Sequence, residues 1–313
     1  MYIEKRKVGK SIKYYLVYSY REKKEVKKIR RYLGINLSAE ALQKKRAAAE
    51  IQIKEKLEQL NTEIFNFSLS KKQIEKLNRY DSKIKVWHLE DWSWKTFTEQ
   101  FVYNTNAIEG STVQEKDVPE ILHRDNPKDS EEKETKGVAK AVSLIRKTKE
   151  DVSLGLIKKL HKLCFKDSKS FAGKIRGVDV TVENIYGEIL HWGAPFAQLP
   201  SLLDEMINWY KKNKNMFKPL VLAAIMHNQF EHIHPFQDGN GRVGRLLLNF
   251  ILIKNKYPPI NISLENRAEY YQTMQEYSKS QNLKPTMLFL IKQYKKTLRQ
   301  VSTKKKKAKK VVT

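Results

Sequence analysis

Apolar residues recur along this chain with two periods, and the change of period divides it. Residues 12–20 (IKYYLVYSY) are rich in Tyr, Val and Ile; charged REKKE follows, then VKKIRRYLG. Two such runs around a polar turn predict a β-hairpin that ends at Gly34. Ser38 then stands as N-cap of a long helix with Leu42, Ile51, Leu57 and Leu60 among its apolar positions. From about residue 71 the spacing stays helical. It predicts helices near 71–80, 95–109, 114–123, 132–148, 153–165, 198–213, 217–233, 242–255, 266–279 and 284–298. One stretch breaks this pattern: 178–192 (VDVTVENIYGEILHW) alternates around Gly187 and predicts a second hairpin. The last twelve residues, STKKKKAKKVVT, have little to bury and predict a disordered basic tail. The fold class is therefore mainly α. A basic N-terminal appendage of hairpin plus helix occupies 1–70, a helical domain 71–299 and the tail 300–313.

Composition changes this picture mainly through charge. Sixty-one Lys and Arg stand against 35 Asp and Glu, a net charge of +26 over 313 residues. Such a field favours polyanionic partners: nucleic acid, nucleotides, acidic proteins or anionic membrane surfaces. The hydrophobic fraction of 40% suffices for a real core. The single cysteine, Cys164, sits among Leu160, Leu163 and Phe165 and reads as packing. No intrachain disulfide can form, which fits a reducing compartment. No apolar run approaches the roughly 18–20 residues of a membrane span. The N-terminus lacks the apolar segment of a secretory signal. A soluble cytoplasmic protein with no membrane partner is the expectation.

The candidate chemistry lies in His234-Pro-Phe-Gln-Asp-Gly-Asn-Gly-Arg-Val-Gly-Arg245. An apolar helix precedes it (Val221, Leu222, Ile225, Met226, Phe230, Ile233) and another follows (Leu246, Leu247, Leu248, Phe250, Ile251). Pro235 disfavours helical geometry at the residue before it. The segment thus reads as a loop between two buried helices, opening into a helix N-terminus. Unpaired N–H groups and the helix dipole make such an end an anion site. Gly239 and Gly241 let the backbone curl around a phosphate. Arg242 and Arg245, three apart, lean over one face, and guanidinium forks suit phosphate oxygens. Asp238 offers a hard oxygen to Mg²⁺. His234 is suited to act as a base near neutrality. Together these point to phosphoryl-group transfer from a nucleotide.

The segment resembles the motif of the Fic family, HPFxDGNGRxxR, at every specified position. The resemblance runs over roughly 95–295. It includes Ala223, His227, Phe230 and Ile233 on the preceding helix and Phe171-Ala-Gly-Lys-Ile-Arg176 at the entry to a flap. Tyr257-Pro-Pro259 and Tyr270-Tyr271 lie downstream. It implies a Fic-type helical bundle with a β-hairpin flap, and an enzyme moving AMP from ATP to a Ser, Thr or Tyr hydroxyl of an unidentified target protein. By that resemblance His234 is the base and Asp238 holds Mg²⁺. Gly239, Asn240 and Gly241 cradle phosphates, Arg242 and Arg245 hold the β- and γ-phosphates, and Phe236 anchors the loop. The flap, about 182–192 with Val182, Ile189 and Leu190, aligns the target by strand addition. Tyr270 and Tyr271 contact the nucleoside, one of them being structural. Ser278 stands where many relatives place an Asn against the base, which leaves the nucleobase open. His161, His191 and His227 are expected to be structural.

Thr105-Asn-Ala-Ile-Glu109-Gly110 forms a second pattern. Thr105 and Glu109 share a helix face, and Gly110 suits the helix end. A carboxylate there is disfavoured by the dipole and gains from an external cation. The pattern resembles the Fic inhibitory signature [S/T]xxxE[G/N], placed before the catalytic motif as in the family's second class. It implies that Glu109 pairs with Arg245 and takes the place of the γ-phosphate. In some relatives such a glutamate also helps remove AMP, and dimerisation tunes the inhibition, so a homodimer is one expectation. Two other readings stand beside this one. The first is transfer of another phosphate-containing group, against which Gly241 argues, because the phosphate-moving branch usually has Lys there. The second is a regulator that binds nucleic acid through residues 1–70.

Overall fold

The computed structural model describes residues 1–9, 11–22, 25–60, 71–83, 92–183, 189–280 and 282–301. The expected basic tail from 302 onward and the tip of the second hairpin, 184–188, lie outside the described residues. The chain divides into two units, Met1–Asn66 and Phe67–Thr313.

The first unit carries strands β1 (Tyr2–Val8), β2 (Ser11–Glu22) and β3 (Glu25–Ile35), followed by helix α1 (Ala39–Leu60). Ser38 accepts from the Ala41 N–H at 3.3 Å, as its N-cap position predicts. The expected two-stranded hairpin is corrected to a three-stranded antiparallel sheet in the order β1-β2-β3. Its extra strand pairs Tyr2 with Val17 and Val8 with Ser11. The sequence hid β1 because it is an edge strand. Its pairing rests on backbone hydrogen bonds, and charged side chains are tolerated and even favoured on an edge. Only Ile3 of β1 reaches the small core of Leu16, Ile29, Leu33, Ala49 and Ile53.

The second unit is helical around two buried rods. Helices α2 (Lys71–Asn78), α3 (Trp94–Ile108), α4 (Val118–His123), α5 (Ser130–Lys147), α6 (Leu154–Phe165) and α7 (Leu199–Asn213) precede them. The rods are α8 (Pro219–Ile233) and α9 (Asn240–Lys254); α10 (Arg267–Ser280) and α11 (Lys284–Val301) follow. Side-chain caps mark the starts the sequence predicted. Ser93 accepts from Thr96, Asp129 from Glu132 and Ser153 from Leu156, each satisfying an orphan N–H. Leu220 to Phe230 of α8 are all buried, as are Arg242 to Ile253 of α9. A helix apolar all round belongs in the middle of a domain. The two rods pack on each other, and the loop joining them is thereby held from both sides.

The second hairpin is present as β4 (Thr181–Glu183) and β5 (Ile189–Trp192), pairing Thr181 with Trp192 and Glu183 with Ile189. Helix α9 starts two residues earlier than the spacing predicts, which draws Asn240 and Gly241 into its first turn.

Helix α5 lies on α6 at Gly137. A Cβ there would stand 2.4 Å from the carbonyl oxygen of Cys164 and 2.6 Å from that of Leu163. Gly137→Ala should therefore force the helices apart and destabilise the protein by about 1–3 kcal/mol. An unchanged urea midpoint would show that the helices are not in such close contact.

Candidate active site

Helix α8 ends because His234 leaves the helical region for the left-handed one, at φ 51° and ψ 61°. Its N–H still bonds to the Phe230 carbonyl, and Pro235 then prevents continuation. The loop that follows is closed on itself by one buried amide. Asn240 donates to the Phe236 carbonyl and accepts from the Phe236 N–H, both at 2.8 Å. Gly239 takes φ 81° to make the return into α9, a conformation that side-chain residues seldom adopt. Phe236 is fully buried beneath the loop, stacked on His161 at 3.9 Å between ring centroids.

Three side chains from outside the loop hold it. His161 accepts from the Gly173 N–H at Nδ1 (2.7 Å), so its Nε2–H donates to the Asp238 carbonyl at 3.0 Å. Burial pushes its pKa down to about 4, which keeps that neutral tautomer. Arg176 donates through Nε to the His234 carbonyl at 2.7 Å and also reaches the carbonyls of Val178 and Ala194. Its backbone N–H bonds to the Pro235 carbonyl. Lys169 pairs with Asp238 at 2.8 Å. Burial works against the Asp238 carboxylate, but Lys169, Arg242 and the Gly239 N–H together hold its pKa below the usual range.

The two arginines of the motif part company. Arg245 is buried, with its side chain 2% exposed, and turns toward α3. Its Nε donates to Thr105 Oγ1 at 2.7 Å, and its Nη2 donates to the Thr105 carbonyl at 2.9 Å and to Glu109 Oε1 at 2.6 Å. Burial disfavours its charge, yet Glu109 more than compensates, so its pKa is raised. Gly241 makes room for this: a Cβ there would stand 2.3 Å from Glu109 Oε1. Arg242 instead bonds to Glu134 of α5, lies over the Phe165 ring at 4.4 Å and approaches Asp238 at 3.6 Å.

These groups surround a cavity of about 260 Å³. His234, Asp238, Gly239, Asn240, Gly241 and Arg245 form its loop side. Glu109, Tyr270, Tyr271 and Ser278 face them. Thr105 and Arg242, also singled out from the sequence, do not line it. Val182, Ile189 and Leu190 lie on the strands of the flap, but their side chains are outside the described residues. Thr181, at the start of β4, lines the cavity. Tyr270 is buried and its hydroxyl bonds to His227 Nε2 at 2.9 Å, which makes it the structural member of the tyrosine pair. Tyr271 is less buried and reaches the Ile108 carbonyl at 3.4 Å. Cys164 is buried, and burial pushes its thiol up to about 12, so it packs and does not react.

Sequence reasoning missed Lys169, Glu134, Asn228, Glu231, Met274 and Gln275. Glu134 stands 108 residues from Arg242, beyond any local pattern. Glu231 had a local signal: an acid on an otherwise apolar face, three residues before His234. Among the described residues no cluster of three or more His, Cys, Asp or Glu could hold a metal. One carboxylate, Asp238, is a set that suits Mg²⁺ if phosphates and water supply the remaining ligands. Among the described residues, no helix is long and apolar enough to cross a membrane.

Residues 151–252 match the model of the Fic/DOC family. The chain is 35% identical over 185 residues to protein adenylyltransferase fic-1 of Caenorhabditis briggsae, covering 56% of this chain and 35% of that protein. It is 27% identical over 209 residues to protein adenylyltransferase Fic of Nematostella vectensis, covering 64% of this chain and 47% of that one. The chain thus spans a third to a half of the length of these curated relatives. In fold it is similar to Fic-1 (residues 134–508) of Caenorhabditis elegans, with TM-score 0.59 and 23% identity over 89% of this chain and 80% of that one. It is equally similar to a Fic-domain signalling protein of Bacteroides thetaiotaomicron, with TM-score 0.59 and 24% identity over 74% of this chain and 94% of that one.

Glu231 gives this site a pH signature. Burial raises its pKa from 4.5 to about 8; Glu109 adds to the rise and Arg245 opposes it. The folded state therefore binds this proton more tightly than the unfolded state. The stability it contributes is full below the unfolded value and is lost as pH rises to about 8. Glu231→Gln has no such titration. Its denaturation midpoint should gain on wild type as pH rises from 5 to about 8 and run parallel above that. A constant difference across the interval would show that Glu231 is ionised throughout.

Proposed function

Given a chain that carries a Fic domain over residues 151–252, we propose that it is a protein adenylyltransferase held in check by its own Glu109. The observation that carries the reading is the 2.6 Å bond between Glu109 and Arg245, in the second turn of α9. A buried guanidinium beside a helix N-terminus is a seat for a phosphate. Here a carboxylate of the same chain sits in it.

In the forward reaction a target Ser, Thr or Tyr hydroxyl attacks the α-phosphorus of ATP. A new O–P bond forms as the bond to pyrophosphate breaks, and the hydroxyl proton passes to His234. The left-handed turn at His234 projects the imidazole from the end of α8 into the cavity, where a base is useful. Its carbonyl, held by Arg176, fixes the backbone behind the ring. The N–H groups at the start of α9, opened by Gly239 and Gly241, stabilise the phosphate charge without reorganisation. Asp238 would hold Mg²⁺, with Lys169 yielding the oxygen it now occupies. The ion supplies charge neutralisation on the phosphates when bound. Tyr271, Ser278 and the wall of Tyr270 form the nucleoside side. Strands β4 and β5 stand at the cavity edge as the rail for an extended target segment.

Glu109 acts by competition. A γ-phosphate needs Arg245, whose Nη2 Glu109 holds and whose Nη1 is buried with no hydrogen-bond partner. While the carboxylate stays, the triphosphate cannot settle with its α-phosphorus before His234. Gly241 lines the cavity without a side chain, so removal of Glu109 would free the space beside it for phosphate oxygens.

The test is labelling with α-labelled ATP and Mg²⁺. Displacing a charge-assisted hydrogen bond is worth roughly 1.5–3 kcal/mol, so Glu109→Gly should label itself or a lysate target about 10- to 100-fold more strongly than wild type. Glu109→Gly/His234→Ala should lose that label. If Glu109→Gly binds Mg·ATP and labels no better than wild type, the brake is wrong. If no variant takes label from ATP while folded, the nucleotide is another one.

A further inference from the structure

The sheet of the first unit has two faces, and alternation along its strands separates their chemistry. One face carries Ile3, Tyr14, Leu16, Tyr18, Ile29 and Leu33, packed with Ala49 and Ile53 of α1. The register places Tyr2, Arg6, Lys13, Tyr15, Arg30 and Tyr32 on the other. An exposed sheet face is ordinarily covered by short polar residues and mixed charge. This one is built from aromatic rings interleaved with cations.

The packing there is ordered. The Arg6 guanidinium lies 5.4 Å from the Tyr15 ring centroid, and the Tyr15 and Tyr32 rings stand 5.4 Å apart, tilted at 54°. Glu4 sits between Arg6 and Arg30 and bonds to both. That single carboxylate aligns two guanidiniums without neutralising the face, since Lys13 and Lys28 flank it on β2 and β3. Tyr32 is 56% and Tyr2 47% exposed, and the Arg6 and Arg30 side chains are about half exposed.

We propose that this face binds an unpaired nucleic-acid strand, with Arg6, Lys13 and Arg30 on its phosphates and Tyr32 and Tyr2 stacking on its bases. Charge complementarity selects a polyanion. The rings select among polyanions. A stacked duplex hides the base faces that a tyrosine ring needs, whereas a single strand offers them. An anionic membrane would be met by apolar side chains that insert; on this face the exposed aliphatic residues, Val8 and Ile35, stand only at the ends of β1 and β3. The surface is independent of the nucleotide cavity and uses no residue of it.

The measurement is fluorescence anisotropy of the full chain with a labelled oligouridylate or oligothymidylate of about 15 nucleotides. It is run between about 50 and 200 mM salt. Wild type should bind, with affinity falling as salt rises. Tyr32→Ala should weaken binding about 5- to 100-fold, and Tyr32→Phe, which keeps the ring, should retain it. Arg6→Ala/Arg30→Ala should flatten the salt dependence by roughly one to two phosphate contacts. Glu4→Gln should tighten binding by removing the repelling carboxylate. Lys211→Ala/Lys212→Ala, on an exposed turn of α7, controls for unspecific charge and should change nothing. The proposal falls if wild type does not bind at low salt, or if a duplex or phosphatidylserine vesicles displace the strand at lower concentration than unlabelled strand does. It also falls if the face variants bind as wild type does.

Discussion

Everything at the active site depends on a buried amide, Asn240, that bonds both ways to the backbone of Phe236. Two wholly buried helices must be joined by a chain that reverses direction, and a reversing chain exposes polar backbone in a place without water. Asn240 removes one donor and one acceptor from that account. What remains, the N–H groups at the start of α9, faces the cavity. The loop's rigidity and the anion affinity proposed for it therefore have one origin. Phe236 wedged on His161, and His161 held by Gly173 and the Asp238 carbonyl, extend the same closure downward into the core. The neutral His161 matters because only that tautomer can accept from Gly173 at Nδ1 while donating to the Asp238 carbonyl.

Arg245 brings the opposite problem. A guanidinium 98% removed from solvent is costly unless paired, and breaking its pair leaves an uncompensated charge. The protein satisfies it in two ways that differ in permanence. Thr105 supplies a hydroxyl and a carbonyl from a helix that is itself buried, a fixed arrangement. Glu109 is the cap residue of α3, its side chain 27% exposed, and is the part of the arrangement that, on the proposed function, a phosphate replaces. Putting the carboxylate at the helix end makes that exchange easier, because the dipole there disfavours it. Desolvation keeps the arginine in need of an anion, and the geometry of α3 decides that the default anion is internal.

The sequence made the helices legible, because a period of 3.6 survives any tertiary context that buries one face. It also made legible the loop, whose proline, glycines and arginines are local in their effects. It did not make legible which arginine faces the cavity. Arg242 and Arg245 have the same side chain and the same local surroundings. The difference lies in part in Glu134 on α5, distant in the chain and indistinguishable by composition from surface acids, whereas the Thr105–Gly110 pattern does point to Glu109 as the partner of Arg245. Lys169 escaped for the same reason. Strand β1 was hidden because an edge strand need not alternate apolar and polar residues, and Ile3 alone carries its core contact. In each case the missed feature is one side of a long-range pair whose other side was read correctly.

Glycine shows how such pairs leave a trace in the chain. Gly241 reads locally as a phosphate-curling residue, and a phosphate does need bare backbone there. Yet the atom that a Cβ would strike in the resting protein is Glu109 Oε1, at 2.3 Å. On the proposed function, the same missing side chain makes room for the triphosphate and for the carboxylate that would exclude it. A larger residue at 241 would disturb both at once, so the brake and the substrate site cannot be separated at that position. On the proposed function they separate at Glu109, which can be removed without adding a side chain at Gly241. A detachable carboxylate over an intact loop is, on the proposed function, the arrangement that would let one site be both complete and silent.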